Sequence, residues 1–200
     1  MSALRKVLVP LAPGFEELEA VTVIDVLRRA GIDVVLADLG TRESERRARG
    51  SHDLELVTNT SIDQVDFDEF EALVLAGGIP GATTLRDDAR VIAGLQYMHA
   101  RGRWTAAICA GPIALAAAGL LDDERATAYP AFRDRLGRAD VVTDERVVIS
   151  GRVMTSVGPG TALDFALCLV GVLCGPDLAT EIAEAMIVEG FADRARACKG

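Results

Sequence analysis

Cys109 is the residue of this chain best placed to do chemistry. The run Ala107-Ile108-Cys109-Ala110-Gly111 sets it between small residues two positions away on either side, after an apolar stretch and before a helix-like one. A nucleophile at the tip of a sharp strand-to-helix turn needs small residues there, because the tight backbone brings those positions into contact. A helix beginning just beyond the cysteine offers partial positive charge, which favours thiolate over thiol. The competing reading is a small buried residue, since cysteine packs well in cores. A second tight turn, Gly77-Gly78, ends another short apolar run. Such strand ends line the ligand crevice of parallel α/β sheets. The free N–H groups of Gly78 and Ala110 are therefore candidates for an oxyanion hole. Glycine turns end many parallel strands, so this pair alone is weak evidence.

A cysteine nucleophile is ordinarily activated by a histidine. The chain has two, His52 and His99, and neither follows a late strand where a triad histidine would fall. His99 ends a polar helix and reads as a solvated C-terminal residue. His52 ends a basic loop and would reach a site only by unusual folding or in a second subunit. A conventional Cys-His protease or amidotransferase is thus disfavoured. The other activator is a carboxyl group, and Glu16, Glu17 and Glu19 open the first predicted helix. At least two of the three are expected only to complement the helix dipole. Glu16 and Glu19 share a face by their i,i+3 spacing, so spacing does not choose between them.

These residues need a scaffold that brings strand ends together. Short apolar runs alternate with amphipathic stretches, the pattern of β-α-β units around a largely parallel sheet. Strands are expected at Lys6 to Leu11, Asp33 to Leu39, Ala72 to Ala76 and Trp104 to Ile108. Helices are expected at about Glu16 to Ala30, Asp88 to Arg101 with Asp87 as cap, Pro112 to Ala118 and Thr161 to Leu173, with a last one starting at Pro176-Asp177. Residues Gly40 to Ser51 read as a loop, and Leu54 to Thr58 as a short strand or hairpin arm. Shorter β-like segments lie near Ala126 to Ala128, Val141-Val142, Val147 to Ile149 and Val153 to Thr155. No repeat or linker interrupts the pattern, so residues 1–200 read as a single domain.

Composition narrows the partners. The net charge of −9 argues against a nucleic-acid backbone as the main partner. The basic cluster Arg42 to Arg49 is interleaved with acids and reads as a solvated loop. No apolar run approaches the roughly 20 residues needed to span a bilayer, and the start lacks the pattern of a signal peptide; a cytoplasmic location is expected. The four cysteines, Cys109, Cys168, Cys174 and Cys198, show neither zinc-ligand spacing nor a disulfide framework. Cys168 and Cys174 read as core residues and Cys198 as an incidental tail residue. No metal-ligand cluster or nucleotide fingerprint is present, so no metal or cofactor is expected.

Five segments together carry a resemblance. Ala12-Pro13-Gly14-Phe15-Glu16-Glu17-Leu18-Glu19, Asp25 to Gly31, Leu75-Ala76-Gly77-Gly78, Ala106 to Pro112 and Thr155 to Thr161 are similar, in this order, to segments of the ThiJ/PfpI superfamily. The resemblance implies a flavodoxin-like, three-layer α/β sandwich related to class I glutamine amidotransferases, and a homodimer. It selects Glu19 as the carboxyl group beside Cys109, protonated and donating to the sulfur. It places the oxyanion-hole donors at Gly78 and Ala110, with Gly77, Tyr129 and Pro159 around the pocket. Ala110 stands where protease-like members have histidine, which counts against peptidase activity. Tyr129 replaces a histidine of animal members and reads as a pocket wall. His52 falls where members place an arginine near the partner's site.

The activity implied is a cofactor-independent thiol enzyme acting on reactive dicarbonyls or their early glycation adducts, a glutathione-independent glyoxalase or deglycase in carbonyl and oxidative stress defence. A different class of function, an oxidation-sensing chaperone, would use the same Cys109 and Glu19 without turnover. Glutamine amidotransfer is weakened by the missing triad histidine.

Overall fold

The computed structural model describes residues 5–40 and 46–191. Its frame is a seven-stranded sheet. The strands in chain order are β1 (Lys6–Leu11), β2 (Asp33–Asp38), β3 (Arg47–Arg49), β4 (Glu55–Val57), β5 (Thr60–Ser61), β6 (Ala72–Leu75), β7 (Trp104–Ile108), β8 (Arg125–Ala126), β9 (Asp140–Val141), β10 (Val147–Ser150) and β11 (Val153–Ser156). The main sheet runs β10-β11-β7-β6-β1-β2-β5, parallel except for the edge hairpin β10–β11. The other strands form two small pairs, β3–β4 and β8–β9.

Among the described residues six α-helices accompany them: α1 (Glu17–Arg29), α2 (Gly81–Asp87), α3 (Ala89–Ala100), α4 (Pro112–Ala117), α5 (Ala162–Cys174) and α6 (Pro176–Ala185). The period-2 alternation of the strands decides which residues meet which helices. Val7, Val9, Leu11, Val74, Ala106 and Ile108 pack with α1, α5 and α6. Leu8, Leu73, Leu75 and Ala107 pack with α3 and α4 on the other face. Both faces are covered, which explains why β1, β6 and β7 read as unbroken apolar runs. The expected three-layer α/β sandwich is what forms.

Several elements differ from expectation. The loop expected at 40–51 contains β3, which pairs antiparallel with β4 as a hairpin. The segment Arg42 to Glu45 of the basic cluster, and Cys198, lie outside the described residues. α2 was not foreseen, and α3 is capped by Asp88, whose carboxylate accepts from the N–H groups of Arg90 and Val91, rather than by Asp87. Asp87 instead pairs with Arg86. Cys168 is buried on α5 as expected, but it is disulfide-bonded, against the reading of unpaired core thiols. Among the described residues, Cys109 and Cys174 are free. No described helix is long and apolar enough to cross a membrane.

Candidate active site

The parallel strands β1, β6 and β7 lie side by side, so their carboxyl ends open onto one crevice. Cys109 follows β7 with φ +64, a left-handed backbone that costs a non-glycine residue about 1–3 kcal/mol. The turn is held from both sides. The Cys109 N–H donates to the Ser156 carbonyl at 3.0 Å, and the Cys109 carbonyl accepts from the Tyr129 N–H at 2.9 Å. Gly111 is required at the next turn, because a Cβ there would sit 2.9–3.1 Å from the carbonyl oxygens of Ile108, Leu75 and Ala76. The elbow read from the small-residue spacing is therefore present. The backbone N–H groups of Ala110 and Gly78 are both directed at the sulfur and favour its ionised form.

Glu19 meets the cysteine from the first turn of α1. It is fully buried, and its Oε2 accepts the Gly77 N–H at 2.7 Å. Its Oε1 is buried with no hydrogen-bond partner, and the carboxyl interacts with the neighbouring Cys109 thiol. Burial pushes the Glu19 carboxyl up to about 7. Burial, then the Glu19 charge, push the Cys109 thiol up to about 12, against the pull of the two backbone N–H groups. The helix end was expected to favour the thiolate; desolvation outweighs it. The two groups titrate as a pair, and between these values they hold one proton. That proton rests mainly on the sulfur, with Glu19 ionised; the minor form with the proton on Glu19 pairs a thiolate with a neutral donor.

The same burial makes a stability prediction. Glu19 is neutral in the fold up to about pH 7 but ionises near 4.5 in the unfolded chain. Ionisation therefore costs the fold stability as pH rises from 4.5 to 7, by up to about 3 kcal/mol. Glu19→Gln carries no such charge. The melting temperature of this variant relative to wild type should climb between pH 4.5 and 7; a constant difference across that range would show that Glu19 ionises normally.

The other two acids have work beyond the helix dipole. Glu17 is buried, and its Oε1 accepts the His52 N–H at 2.6 Å and the Leu54 N–H at 3.4 Å. Its Oε2 lies 2.9 Å from His52 Nδ1 and 3.2 Å from Ser51 Oγ. Burial pushes the carboxyl up, but the His52 ring and these N–H groups overcome it and hold it down at about 2. Glu17 thus clamps the β3–β4 turn onto α1. Glu17→Gln should lower stability by about 1–2 kcal/mol at pH 7. The clamp is fully present above pH 4.5 and lost toward pH 2, so the deficit should shrink steadily below pH 4.5 and vanish only near pH 2 in thermal melts. A deficit undiminished at pH 2 would remove the ionic account.

His52 is accordingly turned toward Glu17 of its own chain, with its ring largely exposed. It is not among the groups acting on Cys109. Glu16, Glu17 and His52 offer ligand atoms within 4.8 Å of one another. The two glutamates raise the His52 pKa, which favours the imidazolium, and an imidazolium does not ligate a metal. His99 is half-buried on α3, with a ring nitrogen out of contact with solvent, rather than solvated as expected.

Tyr129 stands beside the elbow and is 45% exposed. The residue that approaches the sulfur from the β11–α5 loop is Gly158, where a Cβ would lie 3.9 Å from Cys109 Sγ and 3.2 Å from the Tyr129 ring. Pro159, named from the sequence, is the half-buried neighbour that opens the following turn. Gly158 was missed as a site residue because its closeness to Cys109 depends on the pairing of β11 with β7.

Comparison with known proteins shows the family. The chain matches the DJ-1/PfpI family over residues 5–171. It is 38% identical to Protein dj-1beta of Drosophila melanogaster over 185 residues, which covers 92% of this chain and 97% of that one. This chain belongs to the DJ-1/PfpI family. Among family structures, that of oxidized Toxoplasma gondii DJ-1 superposes with a TM-score of 0.85 at 40% identity, covering 92% of this chain and 98% of the other. Another DJ-1/PfpI relative, glutathione-independent glyoxalase DJR-1.2 of Caenorhabditis elegans, is 35% identical over 88% of this chain and 93% of its own length. Protein DJ-1 homolog B of Arabidopsis thaliana is 36% identical over 94% of this chain. This chain spans only 42% of that plant protein, and so corresponds to about half of it.

Proposed function

We propose that this DJ-1/PfpI chain is a cofactor-independent thiol enzyme that converts reactive dicarbonyls, such as methylglyoxal, into hydroxy acids. The observation that carries the reading is the buried carboxyl of Glu19 beside a cysteine held at a strained elbow. The name of the nematode relative supports it.

In the proposed reaction the Cys109 thiolate adds to the aldehyde carbon. The resulting alkoxide takes the Glu19 proton, giving a hemithioacetal and a carboxylate. That carboxylate removes the proton from the same carbon and passes it to the adjacent ketone oxygen, giving an enediol. Glu19 then takes the proton of the hydroxyl on the sulfur-bearing carbon and gives it to the former ketone carbon, which leaves a thioester of lactate. Water then hydrolyses the thioester, restoring the thiol and releasing lactate. One carbon is oxidised and its neighbour reduced, so only water is consumed. A group that gives and takes this proton works best with a pKa near the working pH, and burial puts Glu19 there. The Gly78 and Ala110 N–H groups are the proposed stabilisers of the oxyanions. Tyr129 and Gly158 are the proposed pocket walls, and the small surface of Gly158 leaves room for an adduct on the sulfur.

The test is direct measurement of lactate from methylglyoxal without glutathione. Multiple turnovers are expected. Loss of methylglyoxal with no lactate would reduce the reaction to adduct formation and overturn the enzyme reading. Cys109 is half-buried rather than sealed, so an oxidant can reach it. A relative's structure is described as oxidized, which favours oxidation sensing as the second reading. Under that reading Cys109 would oxidise to sulfinate under mild peroxide while lactate never accumulates.

We also place a second copy of the chain against Leu18 and Val21 of α1 and Leu54 and Val57 of the β3–β4 hairpin, which are exposed apolar residues. Sedimentation should give a dimer, with Leu18→Glu shifting it to monomer; a wild-type monomer would reject this face as an interface.

A further inference from the structure

We propose that the cavity at the amino-terminal end of the sheet, opposite Cys109, binds a phosphate monoester between Arg103 and Arg152. The site follows from topology. β11, β7, β6 and β1 are parallel neighbours in that order. The residues that immediately precede them are Arg152, Arg103, Glu71 and Arg5, so all four stand at this end of the sheet, with Arg103 beside Glu71 and Arg152 beside Trp104. This end is pinned by the sheet itself. The Thr105 N–H donates to the Arg152 carbonyl and the Trp104 N–H to the Glu71 carbonyl, each at 3.0 Å. These four residues, with Trp104 and Leu173, line a cavity of about 400 Å³.

The charge at this end is unbalanced. Arg5 pairs with Glu71 at 2.8 Å. Arg103 donates from Nη1 to the Phe70 carbonyl, and the Arg152 guanidinium lies over the Trp104 ring at 5.0 Å. Neither Arg103 nor Arg152 has a carboxylate partner among the described residues. Two guanidinium charges therefore remain on adjacent strands of a chain whose net charge is −9. The simplest alternative is that they neutralise the carbonyl end of α5, which reaches the cavity at Leu173. Among the described residues, however, neither arginine donates to an α5 carbonyl, so their remaining N–H groups are available to a ligand. Guanidinium forks match the oxygens of phosphate, and two of them balance the charge of −1.5 to −2 that a phosphate monoester carries. Trp104 and Leu173 line the cavity but are largely buried, so they present only their edges to the organic half.

The proposal stands apart from the thiol chemistry and is tested without it. Wild-type protein would be titrated calorimetrically at low ionic strength with inorganic phosphate, glycerol phosphate and succinate. One saturable site is expected for both phosphates, with the ester tighter than the free ion and succinate weaker than either. Arg152→Gln, which gives up no hydrogen bond of the fold, should weaken glycerol phosphate by about tenfold. Arg47→Gln, on the β3–β4 hairpin, should not. Alkylation of Cys109 at the wild-type rate would show that both variants are folded. Three results would each overturn the assignment: no saturable heat, equal losses in the two variants, or succinate binding as tightly as the ester.

Discussion

Cys109→Ser is expected to lower lactate formation from methylglyoxal by about 10³-fold or more, because a hydroxyl in this setting supplies no comparable nucleophile. Glu19→Gln should lower it by roughly 10²-fold or more through loss of the proton relay. The amide also changes the pH dependence, which separates a chemical role from a structural one. In wild type the Cys109–Glu19 pair loses its first proton near 7 and its second near 12. The carboxyl gives up the first proton and the thiol keeps the second, so alkylation by iodoacetamide should rise only in the alkaline range, toward pH 12. In Glu19→Gln the shared proton is gone and the thiol titrates alone. Its pKa falls below about 12 when the Glu19 charge is removed but stays above 9 because burial remains. The rate should then rise at a lower pH than in wild type, though still in the alkaline range. An alkaline inflection left unchanged by Glu19→Gln would end the coupled-pair account.

Gly78→Ala should be among the most destabilising single-methyl changes in the chain. Gly78 has φ +88, and a Cβ there would sit 2.4 Å from both the Glu16 nitrogen and the Gly14 carbonyl oxygen. Those atoms are backbone and cannot swing aside as a side chain would. The cost is about 3–5 kcal/mol, which at this chain length lowers the melting temperature by roughly 10 °C. Gly31→Ala provides the contrast. Gly31 has a comparable φ of +74 but nothing within 4 Å of the added methyl. It should cost about 1–2 kcal/mol, the backbone penalty alone. Equal melting temperatures for the two variants would mean that the loop after β1 moves freely away from Gly78. Thiol alkylation of any folded Gly78→Ala protein should also slow, since the same turn carries the N–H directed at the sulfur.

The parts of the fold that were legible in the sequence are those with local causes. β7 at Trp104–Ile108 was placed correctly because a strand covered on both faces must be apolar at every position. α1 was legible from its acids at one end, its arginines at the other and Gly31 beyond them. Less local features were harder. α2 was missed because its seven residues, Gly81–Asp87, lack a helical apolar period long enough to detect. β3 was missed because a three-residue strand whose side residues are arginines has no apolar signature; it is defined by its partner β4.

The site divides in the same way. The elbow around Cys109 is written in small residues at fixed spacing, because steric crowding at a tight turn acts between near neighbours in the chain. The sequence by itself therefore determined where the candidate nucleophile stands and that strand ends surround it. Which acid meets it was open from spacing, since Glu16 and Glu19 share a helix face. Only the tertiary structure decided that Glu19 lies against the thiol while Glu17 clamps the β3–β4 turn and Glu16 stays at its edge. The direction of the Cys109 pKa was likewise decided there, because burial and the Glu19 charge outweigh the helix end that the sequence revealed. Desolvation and charge pairing depend on distances between segments 58 to 90 residues apart in the chain, and no local pattern encodes those distances.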